Sequence, residues 1–257
     1  MTAGMIVLAA GAALAAAQTS PSPAASTDFP LLELRQYTLH DGQRDTLIDL
    51  FEREFVESQE ALGIKVIGTF RDLDRPNRFV WLRGFRDMDS RLAGLTSFYG
   101  GPVWQAHRNA ANATMVDSDN VLLLHSAGTG AEFKLPHSRP ALGAQVPAGL
   151  VVAVVDYLNS PPREALLQFE TQVKPRLRKA GIPLLAWFVP ERAANNFPRL
   201  PIREHEQVLV WFTRFDSEAD YAARKSELAA AAQPLSQWLS RAPDVLRLSP
   251  TSRSLIR

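Results

Sequence analysis

The side chains best able to do chemistry fall in three short stretches. In "LELRQY" the residues Glu33, Arg35 and Tyr37 alternate with Leu32, Leu34 and Gln36, so they share one face of a strand. In "FVWLRGF" the residues Trp81 and Arg83 share a face in the same way. In "PVWQAHR" Trp104 precedes His107 by one helical turn, which sets indole and imidazole side by side. Arginines among tyrosine and tryptophan rings suit a planar, partly apolar ligand with an acidic or carbonyl group. An imidazole at such a place could also act as a base or ligate haem. The candidate ligand-binding set is Arg35, Tyr37, Trp81, Arg83, Trp104 and His107. The plainer reading makes Glu33 and an arginine a buried structural ion pair, Trp104 a core residue and His107 a local hydrogen-bonding group. No catalytic residue is assigned.

Other chemistries are not encoded by local motifs. His40, His125, His137 and His205 are scattered without metal-ligand spacing, and there is no cysteine, so neither a metal site nor a cofactor is expected. No phosphate-binding loop, dinucleotide fingerprint or nucleophile elbow is present. A net charge of +1 and one short basic run, "KPRLRK", give no footprint for nucleic acid.

The elements that must position these residues form a repeat. "FEREFVESQEALGIKVIGTF" aligns with "FETQVKPRLRKAGIPLLAWF", matching Phe51 to Phe169, Gly63 to Gly181 and Phe70 to Phe188. "FVWLRGF" aligns with "LVWFTRF", and "NVLLL" with "DVLRL". The second copy has a longer connection between its second and third strands, at Pro190–Glu206. Within each copy the order reads strand, helix, strand, strand, helix, strand. The first copy's strands fall at Leu31–Leu39, Lys65–Arg71, Arg78–Phe85 and Asn120–Leu124. Leu47, Phe51, Phe55 and Leu62 give the first helix a buried stripe, Gly63 fits a left-handed cap, and "GGP" breaks the second helix.

This βαββαβ order predicts an α+β protein of two tandem ferredoxin-like domains. Each sheet carries helices on one face only. The other face is too apolar for water, so the two sheets should pack face to face as an α/β barrel within one chain. One face of the first strand meets the helices, and Leu32 and Leu34 suit it better than Glu33, Arg35 and Tyr37; the repeat sets Leu32-Glu33-Leu34 over Leu150-Val151-Val152. Leu32 and Leu34 would meet the helices, while Glu33, Arg35 and Tyr37 would point into the barrel opposite Val151, Ala153 and Val155.

"LELRQYTLHDGQRDTLIDLF", with "NRFVWLRGFRDMDSR" and "FYGGPVWQAHRNAANATMVDSDNVLLL", resembles the NIPSNAP family over about Leu31–Leu124. The resemblance implies the dimeric α/β barrel superfamily, which includes cofactor-free monooxygenases, lactone isomerases and haem-binding dismutases. It transfers no catalytic residues. The function it suggests is non-catalytic binding of a small, partly apolar or aromatic ligand or of a partner protein. The alternative is a cofactor-independent monooxygenase or isomerase, and a purely structural module is a third reading.

The chain of 257 residues, 46% of them hydrophobic, has length enough for two such domains. "MIVLAAGAALAAA" ends in an Ala-x-Ala site and suits a signal peptide better than a membrane span. The expected organisation is a signal peptide over 1–17, a linker over 18–30, domains over 31–127 and 148–257, and a connector over 128–147. The mature protein is then periplasmic or secreted and free of the membrane. It would be a monomer with intramolecular domain pairing or a homodimer.

Overall fold

The computed structural model describes Met1 and residues 29–257. The predicted signal peptide, and the predicted linker up to residue 28, lie outside the described residues.

The first half runs β1 (Leu31–Leu39), α1 (Arg44–Leu50), a π-helical turn (Phe51–Phe55), α2 (Val56–Glu60), β2 (Lys65–Asp72), β3 (Arg78–Phe85), α3 (Met88–Gly100), α4 (Pro102–Asn112) and β4 (Met115–Ser126). The second half repeats the plan. It runs β5 (Leu150–Tyr157), α5 (Arg163–Gln168), a π-helical turn (Phe169–Val173), α6 (Lys174–Lys179), β6 (Leu184–Pro190), β7 (Val208–Phe215), α7 (Glu218–Ala232), a 3-10 helix (Gln233–Trp238) and β8 (Asp244–Pro250). The repeat extends to detail. Both π turns begin at the matched Phe51 and Phe169, and both helical segments end at a left-handed glycine, Gly63 at φ 78° and Gly181 at φ 66°. Asp87 caps α3 in a capping box with Ser90. Gly101 separates α3 from α4, which opens at Pro102.

The eight strands close into one antiparallel barrel in the order β1-β3-β2-β8-β5-β7-β6-β4. The two seams join the halves: Phe70–Asp72 of β2 lies on Leu248–Pro250 of β8, and Leu124–Ser126 of β4 on Phe188–Pro190 of β6. Closure pairs every sheet edge that two separate units would expose. It also buries the face that carries no helices. The barrel interior takes Leu32, Leu34, Val80, Leu82, Ala153 and Phe212, among others from all eight strands. Phe133, from the connecting segment, packs into this interior against Phe188 and Phe212.

The facing expected for β1 is therefore reversed. Leu32 and Leu34 point into the barrel, whereas Tyr37 and Trp81 sit in the layer between sheet and helices, with Phe51, Phe55 and Phe98. Glu33, Arg35 and Arg83 lie on that same face, as strand alternation requires. The physical reason is that the charged face is neutralised within itself and under aromatic rings, so it can pack against the helices while the leucines fill the barrel. The repeat alignment is also one residue out along this strand. Arg35 lies opposite Trp81, and Val154 lies opposite the matching Trp211. Arg35 thus corresponds to Val154, Glu33 to Val152 and Tyr37 to Asp156. A shift of one residue exchanges the two faces of a strand completely. The matched glycines and phenylalanines of the helix could not reveal it, because the turn between strand and helix absorbs the difference.

Candidate functional site

Glu33 on β1 is the centre of the first helix–sheet layer. It is fully buried, and three guanidinium groups meet its carboxylate. Arg35 Nη1 donates to Oε2 at 2.6 Å, Arg83 Nε donates to the same oxygen at 2.8 Å, and Arg91 Nε donates to Oε1 at 2.7 Å. Arg35, Arg83 and Arg91 are themselves 1% exposed or less. Burial pushes the Glu33 carboxyl upward, but Arg83, Arg35 and Arg91 together outweigh it and hold the group well below the usual carboxylate range. One negative charge thus faces three positive ones in a dry layer.

Aromatic rings surround the excess charge. The Arg35 guanidinium lies 5.4 Å from the Tyr37 ring centre and 5.7 Å from that of Trp81. Arg83 lies 5.1 Å from Trp81 and 5.6 Å from Phe85. Such faces stabilise a desolvated cation. Arg35 Nε also donates to Tyr37 Oη at 2.9 Å. Burial is the main influence on the Tyr37 phenol and raises it above its ordinary value.

Among the described residues three buried donors in this layer have no acceptor: Trp81 Nε1, Arg83 Nη2 and Arg91 Nη2. Arg83 Nη2 is 2.7 Å from Glu33 Oε2 but too poorly aligned to donate to it. A cavity of about 30 Å³ adjoins the cluster, lined by Tyr37, Gln59, Trp81, Phe98, Tyr99 and Trp104 among others. It has room for about one water molecule. Its outer wall includes α4, which buries only Ala111 and is joined to α3 through Gly101.

The second half closes the other side. Asn195 and Asn196, in the long β6–β7 connection, present their Oδ1 atoms to Arg91 Nη1 at 3.2 and 2.6 Å. Phe197 stacks on Tyr99 with 5.8 Å between ring centres. The additional length of this connection in the second repeat thus forms part of the first repeat's layer.

Of the six residues singled out in the sequence, Arg35, Tyr37, Trp81 and Arg83 share one cluster and Trp104 lines the adjoining cavity. His107 does not join them. It lies at the rim with its side chain 34% exposed, Nε2 3.4 Å from Glu54 Oε2. Arg91, Gln59, Tyr99, Asn195 and Asn196 were not anticipated. Arg91 had a readable signal, since it stands four and seven positions before Leu95 and Phe98 on the buried stripe of α3. The asparagines had none beyond lying in the longer connection. Among the described residues no group of three or more potential metal ligands is assembled. A depression of about 510 Å³ beside β4 and the β6–β7 connection is lined by none of the six.

The fold and this layered arrangement define an eight-stranded α/β barrel protein built from two ferredoxin-like halves. Within it, residues 32–127 match the sequence model of the NIPSNAP family. No curated protein matches the chain. Among solved structures, a presumed monooxygenase from Fusobacterium nucleatum superposes with a TM-score of 0.58 at 9% identity, covering 90% of this chain and 96% of its own. An anthrone oxidase-like protein gives a TM-score of 0.56 at 12% identity, covering 90% and 95%. A NIPSNAP domain protein from Burkholderia xenovorans is 18% identical over 38% of this chain and 96% of its own, with a TM-score of 0.36. At these identities the two longer matches speak to fold alone.

Proposed function

We propose that the protein binds a small aromatic ligand bearing a carboxylate or carbonyl group, held in the helix–sheet layer of the first repeat. The observation that carries this reading is Trp81 Nε1, a buried donor without an acceptor among the described residues, which lines an aromatic cavity; Arg83 Nη2 and Arg91 Nη2 are two more such donors in the same layer. A buried donor left unpaired costs about 1–3 kcal/mol, and a ligand oxygen would remove that cost. The repeat itself supports the placement. In the second half the matching indole, Trp211 Nε1, donates to the Asp156 carboxylate at 2.7 Å. A ligand carboxylate would complete Trp81 as Asp156 completes Trp211. Entry of anything larger than water requires α4 to swing outward, and its sparse burial and the Gly100-Gly101 link favour that movement.

Binding is favoured over catalysis at this site. Of its acid–base groups, Glu33 is held ionised by three arginines and Tyr37 is raised by burial, so neither of these two is poised near neutral pH. Neither Glu33 nor Tyr37 therefore suits the general base of a cofactor-independent oxygenase or isomerase. Closure of the barrel within one chain favours a monomer, and the apolar Met5–Ala17 run supports an exported setting. Calorimetric titration with benzoate tests the reading. Saturable binding that is lost in Arg83→Met is expected, and no heat of binding in the native protein would refute it.

A further inference from the structure

The second repeat contains its own opening between sheet and helices, and its electrostatics are the reverse of the first. A cleft of about 290 Å³ lies between β5, β7 and α7, with walls that include Val154, Trp211, Leu228, Ala229 and Val245. Asp156 stands among these apolar walls and is 1% exposed. Among the described residues it takes part in no ion pair, and its one side-chain donor is Trp211 Nε1 at 2.7 Å. The first repeat gathers three guanidiniums on one carboxylate. The second sets one carboxylate among apolar walls with no cation paired to it among the described residues.

A buried carboxylate without a cation is costly, and one neutral N–H bond offsets little of that cost. The partner that completes it must bring a positive charge and an apolar body that fits the cleft. We propose that this cleft is a binding site for a small hydrophobic amine, its ammonium group paired with Asp156 and its apolar part packed against Trp211, Leu228 and Val245. The site is separate from the anion-binding layer of the first repeat and does not depend on it.

Burial supports the assignment by pushing the Asp156 carboxyl up to about 6. Binding of a cation should then be strong above that pH and fade below it. The other ionisable groups lining the cleft are Tyr221 and Lys225, both on α7.

The test uses benzylamine, with benzyl alcohol and benzoate as matched probes. The readout is the indole N–H resonance of Trp211, identified by its absence in Trp211→Phe. Benzylamine should move this resonance saturably near pH 7.5, at least about tenfold more tightly than benzyl alcohol, and benzoate should not move it. Affinity should fall about tenfold or more near pH 5, and this pH dependence should survive in Lys225→Met. Asp156→Asn should abolish the preference for the amine. Ala229→Phe, which adds bulk to the α7 wall of the cleft and leaves the Asp156 side chain in place, should abolish binding and guards against a folding defect in the first variant. Equal affinity for amine and alcohol, unchanged amine binding in Asp156→Asn or Ala229→Phe, or loss of the pH dependence in Lys225→Met would each overturn the proposal.

Discussion

Replacing Glu33 with Gln preserves shape and removes the one negative charge among Arg35, Arg83 and Arg91. All three guanidiniums then remain buried with no counter-ion. Removing one member of a single buried pair costs about 3–5 kcal/mol. Here one substitution strands three cations, so a loss of about 5 kcal/mol or more is expected. Arg83→Met should behave quite differently. Glu33 keeps Arg35 and Arg91, so one attraction is lost while two repulsions between guanidiniums and one buried charge disappear with it. Gln59 Oε1 loses only a long 3.3 Å donor. The net change should stay within about 1 kcal/mol, of either sign. Thermal unfolding at neutral pH separates the two, because each kcal/mol moves the midpoint of a protein this size by roughly 2–4 °C. Glu33→Gln should melt roughly 10 °C or more below the native protein, and Arg83→Met within about 4 °C of it. Equal losses in the two variants would refute the charge inventory, because they would mean that Arg83 is an obligatory partner of Glu33 and not part of an excess.

Asn196→Ala should lower stability by about 1.5–3 kcal/mol, since Arg91 loses a 2.6 Å acceptor supplied by the other half of the chain, and unfolding monitored by calorimetry measures it. Acidification should act on the Glu33 and Asp156 carboxyls in opposite senses. Native Asp156 keeps a proton up to about pH 6, whereas the unfolded chain releases it near its ordinary 3.8, so its contribution to stability falls as pH rises between these values. Glu33 is shifted the other way, so its contribution is present above the ordinary carboxylate range and is lost as pH falls below it. The stability of Asp156→Asn relative to the native protein should therefore improve by up to about 3 kcal/mol between pH 4 and pH 8, as read from paired melting curves. A difference independent of pH would mean that Asp156 does not titrate in the native state.

The architecture was legible because it is written twice. Gly63 and Gly181 mark the same left-handed cap, and the run from Phe51 matches that from Phe169 into the following strand. The apolar character of both strand faces implied a second sheet to cover the exposed one, and the barrel supplies it. The facing of β1 was not legible. All its residues from Leu31 to Tyr37 are buried, so the usual contrast between a wet face and a dry one is missing. Two leucines looked like core against helices, while a glutamate and an arginine looked like a cavity wall. The structure resolves this by neutralising the charges among themselves and under aromatic rings. Asn195 and Asn196 were beyond the sequence for another reason. Their role depends on where a long connection lands on the other half, and no local pattern encodes that.

The central claim is that the two helix–sheet layers select opposite charges, with the first taking an anion. The most direct measurement follows the indole N–H resonances of the five tryptophans while benzoate is added. The expected result is a saturable shift of Trp81 and Trp104, none of Trp211, and an affinity at least about tenfold lower in Arg83→Met, whose fold is retained. Benzoate that moves Trp211 as readily as Trp81, or that binds Arg83→Met as tightly as the native protein, would contradict it.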